Sequence, residues 1–131
     1  MPIKKILIVD DEPAIVDILS ARLKAAGFEI CTAADGLEAV AKVKSEKPNL
    51  IIMDVLMPKM TGFEAMKKIR ENPESRGIPA IVISARGSMK DYFNDITGVE
   101  FLPKPYEPKD LVHRIELLLG TKTVADGGRV V

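Results

Sequence analysis

Five residues of this chain have the types that handle phosphate and hard cations: Asp10, Asp11, Asp54, Ser84 and Lys104. Each stands at or just past the end of a short apolar run. Ile6 to Val9 leads into the acidic pair, Leu50 to Met53 into Asp54, Ala80 to Ile83 into Ser84, and Val99 to Leu102 lies just ahead of Lys104. Carboxylates offer oxygen ligands to an ion of magnesium's kind, which keeps several waters and is ordinarily held by one or two carboxylates plus phosphate. An aspartate is already ionised at neutral pH, so it needs no general base to attack phosphorus. Lysine supplies a point positive charge for a phosphoryl oxygen, and the serine hydroxyl a hydrogen bond. The set suits receipt of a phosphoryl group on Asp54, by positioning and electrostatics.

Taken singly, these residues are ordinary. An acidic pair is commonly a solvated helix start, a lone lysine a surface residue, and a lone serine a turn residue. Their placement raises them above that. Asp54 leaves an apolar run closed by Pro58 and Gly62, which reads as a strand buried on both faces. A carboxylate in that position calls for a cation, a donor or a metal beside it. By contrast, Cys31 reads as a small buried hydrophobe and His113 as a solvated helix residue without ligand partners at metal spacing. Met57 and Met60 read as loop packing.

The elements that must hold the set follow from local signals. Pro13 suits the first turn of a helix that carries Ile15, Ile18, Leu19 and Leu23 inward and stops at Gly27. Glu29 to Ala33 is a mixed strand. Asp35 and Glu38 form a capping box for a helix expected to bury Leu37, Val40 and Val43. Thr61 and Glu64 form another, ahead of Phe63, Met66 and Ile69 at helical spacing, and 72–79 is a loop. Ser88 opens a helix with Met89, Tyr92, Phe93 and Ile96, stopped by Gly98, and Pro108 opens the last, with Leu111, Val112, Ile115, Leu118 and Leu119 before Gly120.

Five strands alternating with five helices, (βα)5, give a parallel sheet covered on both faces. The first, third and fourth runs are wholly apolar, whereas the second and fifth carry Glu29, Thr32 and Glu100. Apolar strands belong in the middle and mixed ones at the edges, which predicts the doubly wound, flavodoxin-like order 2-1-3-4-5. Ligands of such sheets bind at the carboxyl ends of the strands, where all five polar residues fall.

At 131 residues the chain is one domain by size. We expect the domain over 1–120 and a flexible tail or the start of a linker over 121–131. Lys and Arg total 19 and Asp and Glu total 19, so no net positive field holds nucleic acid or an anionic membrane, and direct nucleic-acid binding is not expected. No run approaches the length of a membrane span or a signal-peptide core, and one cysteine makes no internal disulfide, so the expected location is cytoplasmic.

Val9-Asp10-Asp11-Glu12, Asp54 in the pattern D-x-x-M-P-x-M-x-G, Ser84-Ala85 at a strand end and Lys104-Pro105 together resemble the receiver domain of two-component response regulators, over roughly residues 3–119. The resemblance implies that Asp54 is the phosphoacceptor, that Asp10, Asp11, Asp54 and the backbone carbonyl of Leu56 bind Mg2+, and that Ser84 and Lys104 contact the phosphoryl group. It implies a sensor histidine kinase, phosphotransfer protein or small acyl phosphate as donor. It also implies a cis Lys104-Pro105 bond and a switch in which Ser84 and Phe101 move together and reshape the surface of the fourth helix, fifth strand and fifth helix. That surface would meet a partner or an output domain, or a second copy in a homodimer. Phe101 stands where many members have tyrosine, and Gly98 to Lys104 is one residue shorter than the commonest form. Leu56 and Arg86 stand where the family varies and side chains gate water, and bulky residues there are expected to slow hydrolysis of the phosphoaspartate.

Two other readings use the same residues. A magnesium-dependent phosphatase or phosphotransferase would need a second carboxylate two residues past the nucleophile, and Leu56 occupies that place. A receiver-like interaction module that never takes phosphate would tolerate loss of the acceptor, acid, hydroxyl or lysine, yet every one is present.

Overall fold

The structure, a computed structural model, describes residues 3–54, 62–84, 96 and 98–120. In chain order the elements are β1 (Lys5–Val9), α1 (Pro13–Ala25), β2 (Glu29–Ala33), α2 (Gly36–Glu46), β3 (Leu50–Asp54), α3 (Gly62–Glu71), β4 (Ala80–Ser84), β5 (Val99–Pro103) and α4 (Pro108–Leu119). The helix expected from Ser88, except for Ile96, lies outside the described residues, as do Thr61, Leu56, Met57, Met60, Arg86 and 121–131.

All four strand pairings are parallel and the order is β2-β1-β3-β4-β5. β3 and β4 are buried along their whole length and β1 along all but Lys5, whereas β2 and β5 are mostly half-exposed. The mixed composition of the two edge strands thus reports their position. Side chains alternate between two cores. Leu7, Val9, Ile51, Met53 and Val82 face α2 and α3, while Ile6, Ile8, Ile52, Ile81 and Ile83 face α1 and α4. Each fully buried aliphatic side chain contributes about 1.5–3 kcal/mol.

The loops at the amino ends of the strands are fixed by backbone hydrogen bonds. α1 ends in a Schellman motif: the Phe28 amide donates to the Leu23 carbonyl at 3.1 Å and the Gly27 amide to Lys24 at 3.0 Å. Gly27 sits at φ +99°, which a side chain would strain, and buried Phe28 and Leu23 share one cluster. After α3, the buried Ser75 hydroxyl donates to the Ile69 carbonyl at 2.6 Å. Arg70 spans from α3 to the start of β5, donating to the carbonyls of Ser75 at 3.3 Å and Gly98 at 3.2 Å.

Two expected core residues are on the surface. Leu37 is 57% and Ile18 64% exposed. In α2 the sheet-facing residues are Gly36, Ala39 and Val43. Gly36 and Ala39 take the inward places that the expected stripe gives to Leu37 and Val40, so the buried face turns away from Leu37 while Val43 stays on it. In α1 the buried seam runs through Leu19 and Leu23, with Ile15 and Val16 half-buried, and Ile18 falls outside it. Among the described residues no helix is long and apolar enough to cross a membrane.

Candidate functional site

The strand order brings the polar strand ends side by side. Val9 is paired with Met53, Asp54 with Ile83 and Ser84 with Pro103, so Asp10, Asp54, Ser84 and Lys104 line one rim of the sheet. Asp10 is 5%, Asp54 7% and Ser84 0% exposed. Lys104 is tied to β4 by its own amide, which donates to the Ser84 carbonyl at 2.9 Å. Its ammonium donates to Asp54 Oδ2 at 3.1 Å, which places a cation on the buried carboxylate as the sequence requires. The Lys104-Pro105 peptide is cis, as expected.

Asp10 and Asp11 are adjacent in sequence and unlike in space. The Asp10 amide donates to the Ala33 carbonyl at 3.1 Å, and Asp10 Oδ1 accepts the Glu12 amide at 3.0 Å. These bonds turn the carboxyl inward ahead of α1, which starts at Pro13 with Glu12 at the cap position. Asp11 is exposed. Ser84 shares a face with Ala80 and Val82 by strand alternation, the face on which half-buried Phe101 packs. Leu56 and Arg86 lie outside the described residues.

Among the described residues the electrostatics are those of an acid cluster with Lys104 set into it. Burial pushes the Asp10 carboxyl up to about 6, the Glu12 amide opposes this, and the negative charge of Asp54 adds to it. Burial disfavours the Lys104 ammonium, but its hydrogen bond to Asp54 and the charges of Asp54 and Asp10 outweigh that and raise it above the ordinary lysine value. Among the described residues no three His, Cys, Asp or Glu side chains form a metal cage by themselves. The donors present, two buried carboxylates with a third at the rim, fit a magnesium-type ion that draws its remaining ligands from water, backbone carbonyl and phosphate. A buried acid raised to about 6 beside a second carboxylate is a place where a divalent cation relieves repulsion.

Tyr106 was not singled out from the sequence. It is half-buried and lines a narrow crevice together with Asp10, Asp54 and Lys104. The available signal was its spacing: Lys104 and Tyr106 are two residues apart where the chain leaves β5. Elsewhere, Cys31 is half-buried with its Sγ 3.8 Å from the Ile6 carbonyl oxygen, and burial pushes its thiol up. His113 is exposed on α4.

Five parallel strands in the order 2-1-3-4-5, wrapped by helices, place the chain in the flavodoxin-like class of α/β proteins. Within that class it belongs to the response regulator receiver domain family, whose model matches residues 6–116. It is 43% identical over 121 residues to the probable transcriptional regulator ycf27 of Cyanophora paradoxa, covering 88% of this chain and 48% of that protein. The chain spans about half the length of the curated relatives it matches. Among solved structures it is similar to chemotaxis response regulator CheY4 of Vibrio cholerae, with a TM-score of 0.83 and 34% identity over 90% of this chain and 100% of that one. The receiver domain of sensor histidine kinase PA1611 from Pseudomonas aeruginosa, with a magnesium ion coordinated in its active site cleft, gives a TM-score of 0.80 and 26% identity over 91% and 99% of the two chains. Receiver domains are two-component signalling modules that typically bind Mg2+ and work with histidine kinases and output domains. The ycf27 protein and PhoP of Bacillus subtilis, 35% identical over 127 residues, are named as transcriptional regulators.

Proposed function

We propose that the chain, with its receiver domain over 1–120, accepts a phosphoryl group on Asp54 and uses it to change the surface it offers a partner or an output domain. The observation that carries this reading is the buried Asp54 carboxylate held by Lys104 at 3.1 Å, with buried Asp10 alongside. In the transfer, an Asp54 oxygen forms a bond to phosphorus. The P–N bond of a phosphohistidine donor breaks and its electron pair stays on the imidazole; with a small acyl phosphate the P–O bond breaks instead. Lys104 passes its charge from the bare carboxylate to a phosphoryl oxygen, and the Ser84 hydroxyl donates to another. Asp10, Asp11 and Asp54 would hold Mg2+, with the backbone carbonyl of Leu56, which lies outside the described residues, as a further ligand, and the ion would offset the negative charge of the incoming phosphoryl group.

The common face of Ser84 and Phe101 supports the switch. A hydroxyl drawn toward the phosphoryl group leaves space that the ring follows. Phe101 has no phenolic oxygen, so the coupling is by packing. Moving such an equilibrium from almost all off to almost all on takes about 5.5 kcal/mol of differential stabilisation, which a few charge-assisted hydrogen bonds in a buried site supply. The surface affected is β5, α4 and the segment between β4 and β5. We place the protein in the cytoplasm with a sensor histidine kinase or phosphotransfer protein upstream, and assign that surface to a downstream protein, an output domain or a second copy.

Intact mass after incubation with acetyl phosphate tests this. We expect one phosphoryl group gained by the wild type with magnesium, and none with a chelator or in Asp54→Asn. No gain in the folded wild type, either with acetyl phosphate or with a panel of histidine kinases, would overturn the reading in favour of a phosphate-independent interaction module.

A further inference from the structure

Below the strand-end carboxylates lies a narrow crevice of about 10 Å³. That is room for about one water molecule. Its polar lining is Asp10, Asp54, Lys104 and Tyr106, and α1 contributes Ile15 and Leu19. Asp10 and Asp54 are fixed by the strands that carry them; among the described residues Lys104 is held by the hydrogen bond of its amide to the Ser84 carbonyl and by the ion pair at the end of its flexible stem. Tyr106 is the large side chain among the polar four. It is half-buried and packed against the cluster that includes Ile8, Ile52 and Leu111.

A lysine ammonium in contact with a carboxylate is held more firmly the less water reaches the pair, because the attraction falls as the local dielectric rises. Here the Asp54 side chain is 9% and the Lys104 side chain 33% exposed, so what walls the crevice side matters to the hold. Without the Tyr106 ring the crevice would join the solvent on the α1 side, Lys104 would gain room to swing, and waters would reach the carboxylates from below. We propose that Tyr106 is a positioning residue of the phosphoryl site: its ring walls the crevice and holds the Lys104 ammonium on Asp54, ready for the incoming phosphoryl group. The catalytic consequence rests on the phosphoacceptor reading of Asp54; the hold on Lys104 does not.

The test compares Tyr106→Phe, Tyr106→Leu and Tyr106→Ala, with folding checked by thermal unfolding. Two quantities are measured: proton exchange of the Lys104 ammonium with water, followed by NMR in the metal-free protein, and the rate of phosphoryl uptake from acetyl phosphate at saturating magnesium. Tyr106→Phe keeps the ring and should match the wild type in both. Tyr106→Ala should speed ammonium exchange and slow uptake about ten-fold, a modest loss beside the hundred-fold that a misplacement of about 1 Å can cost. Its magnesium affinity should stay that of the wild type, since no proposed ligand is removed. Should Tyr106→Ala fail to fold, Tyr106→Leu, which keeps apolar packing but not the wall, decides with the same two changes in smaller measure. A folded Ala or Leu variant with wild-type exchange and uptake would overturn the proposal. If the wild type takes no phosphoryl group, the acceptor reading fails, and the exchange measurement still decides whether Tyr106 holds Lys104.

Discussion

Asp10 is the residue at which this fold gives up stability for the sake of the site, and the cost can be read by removing its charge. In the metal-free protein its carboxyl is raised from an ordinary 3.8 to about 6, first by burial, with Asp54 and Asp11 adding and the Glu12 amide and Lys104 opposing. Between those values the folded protein keeps a proton that the unfolded chain has released. The Asp10 contribution to stability therefore falls as pH rises from about 4 through about 6 and remains lost above that. The shift is about two pKa units, and at 1.36 kcal/mol per unit the charged Asp10 costs on the order of 3 kcal/mol at neutral pH. Asp10→Asn keeps an oxygen to accept the Glu12 amide and loses the charge. In chelator at pH 7.5 it should be more stable than the wild type by up to about 3 kcal/mol, and at pH 4 the two should coincide.

Urea unfolding at the two pH values measures this as a difference between two proteins, so the titration of carboxylates remote from Asp10 cancels. Magnesium adds a second arm. Bound only to the folded state, it stabilises by about 2.7 kcal/mol at a hundred times its dissociation constant, and this gain should appear in the wild type and vanish in Asp10→Asn. Asp10→Asn that is less stable than the wild type at pH 7.5, or a difference that does not change with pH, would refute the claim that burial of an under-compensated charge is the cost.

Three further outcomes follow from local structure, each read by chemical denaturation. Asp35 Oδ1 accepts the Glu38 amide at 2.8 Å and Glu38 Oε1 accepts the Ala34 amide at 2.8 Å, so Asp35→Ala should cost about 0.5–2 kcal/mol. Gly98 sits at φ +72° with the Arg70 guanidinium 3.1 Å from where a Cβ would stand; Gly98→Ala should cost about 1–2 kcal/mol from the backbone alone and more from Arg70, and the excess should disappear in an Arg70→Ala background. Leu23→Ala should cost about 2–5 kcal/mol, whereas Ile18→Ser and Leu37→Ser should stay within about 0.5 kcal/mol.

The contrast between Leu23 and Leu37 shows where reading from sequence works and where it stops. Strand order was legible because coverage acts on composition: a strand with helices on both faces has no place for Glu29 or Glu100, so the mixed runs fall at the edges. The rim followed from the order, and with it the meeting of Asp54 and Lys104 across 50 residues of chain. Helix faces were less legible. Counting large apolar residues overlooks Gly36 and Ala39, whose smallness lets α2 approach the sheet and rotates its buried face away from Leu37. The acids carry the same lesson into the site. Nothing in the letters separates Asp10 from Asp11, and the difference arises when β1 takes its register and the Glu12 amide captures one carboxylate oxygen. Tyr106 carries no signal of its own in the sequence for a related reason: one of its sides is ordinary core, packed against the cluster of Ile8 and Leu111. Only the closing of α1 over the strand ends turns its other side into a wall of the crevice below Asp54. Residue types that do chemistry can be found one at a time, but the residues that hold them in place become visible when the packing does.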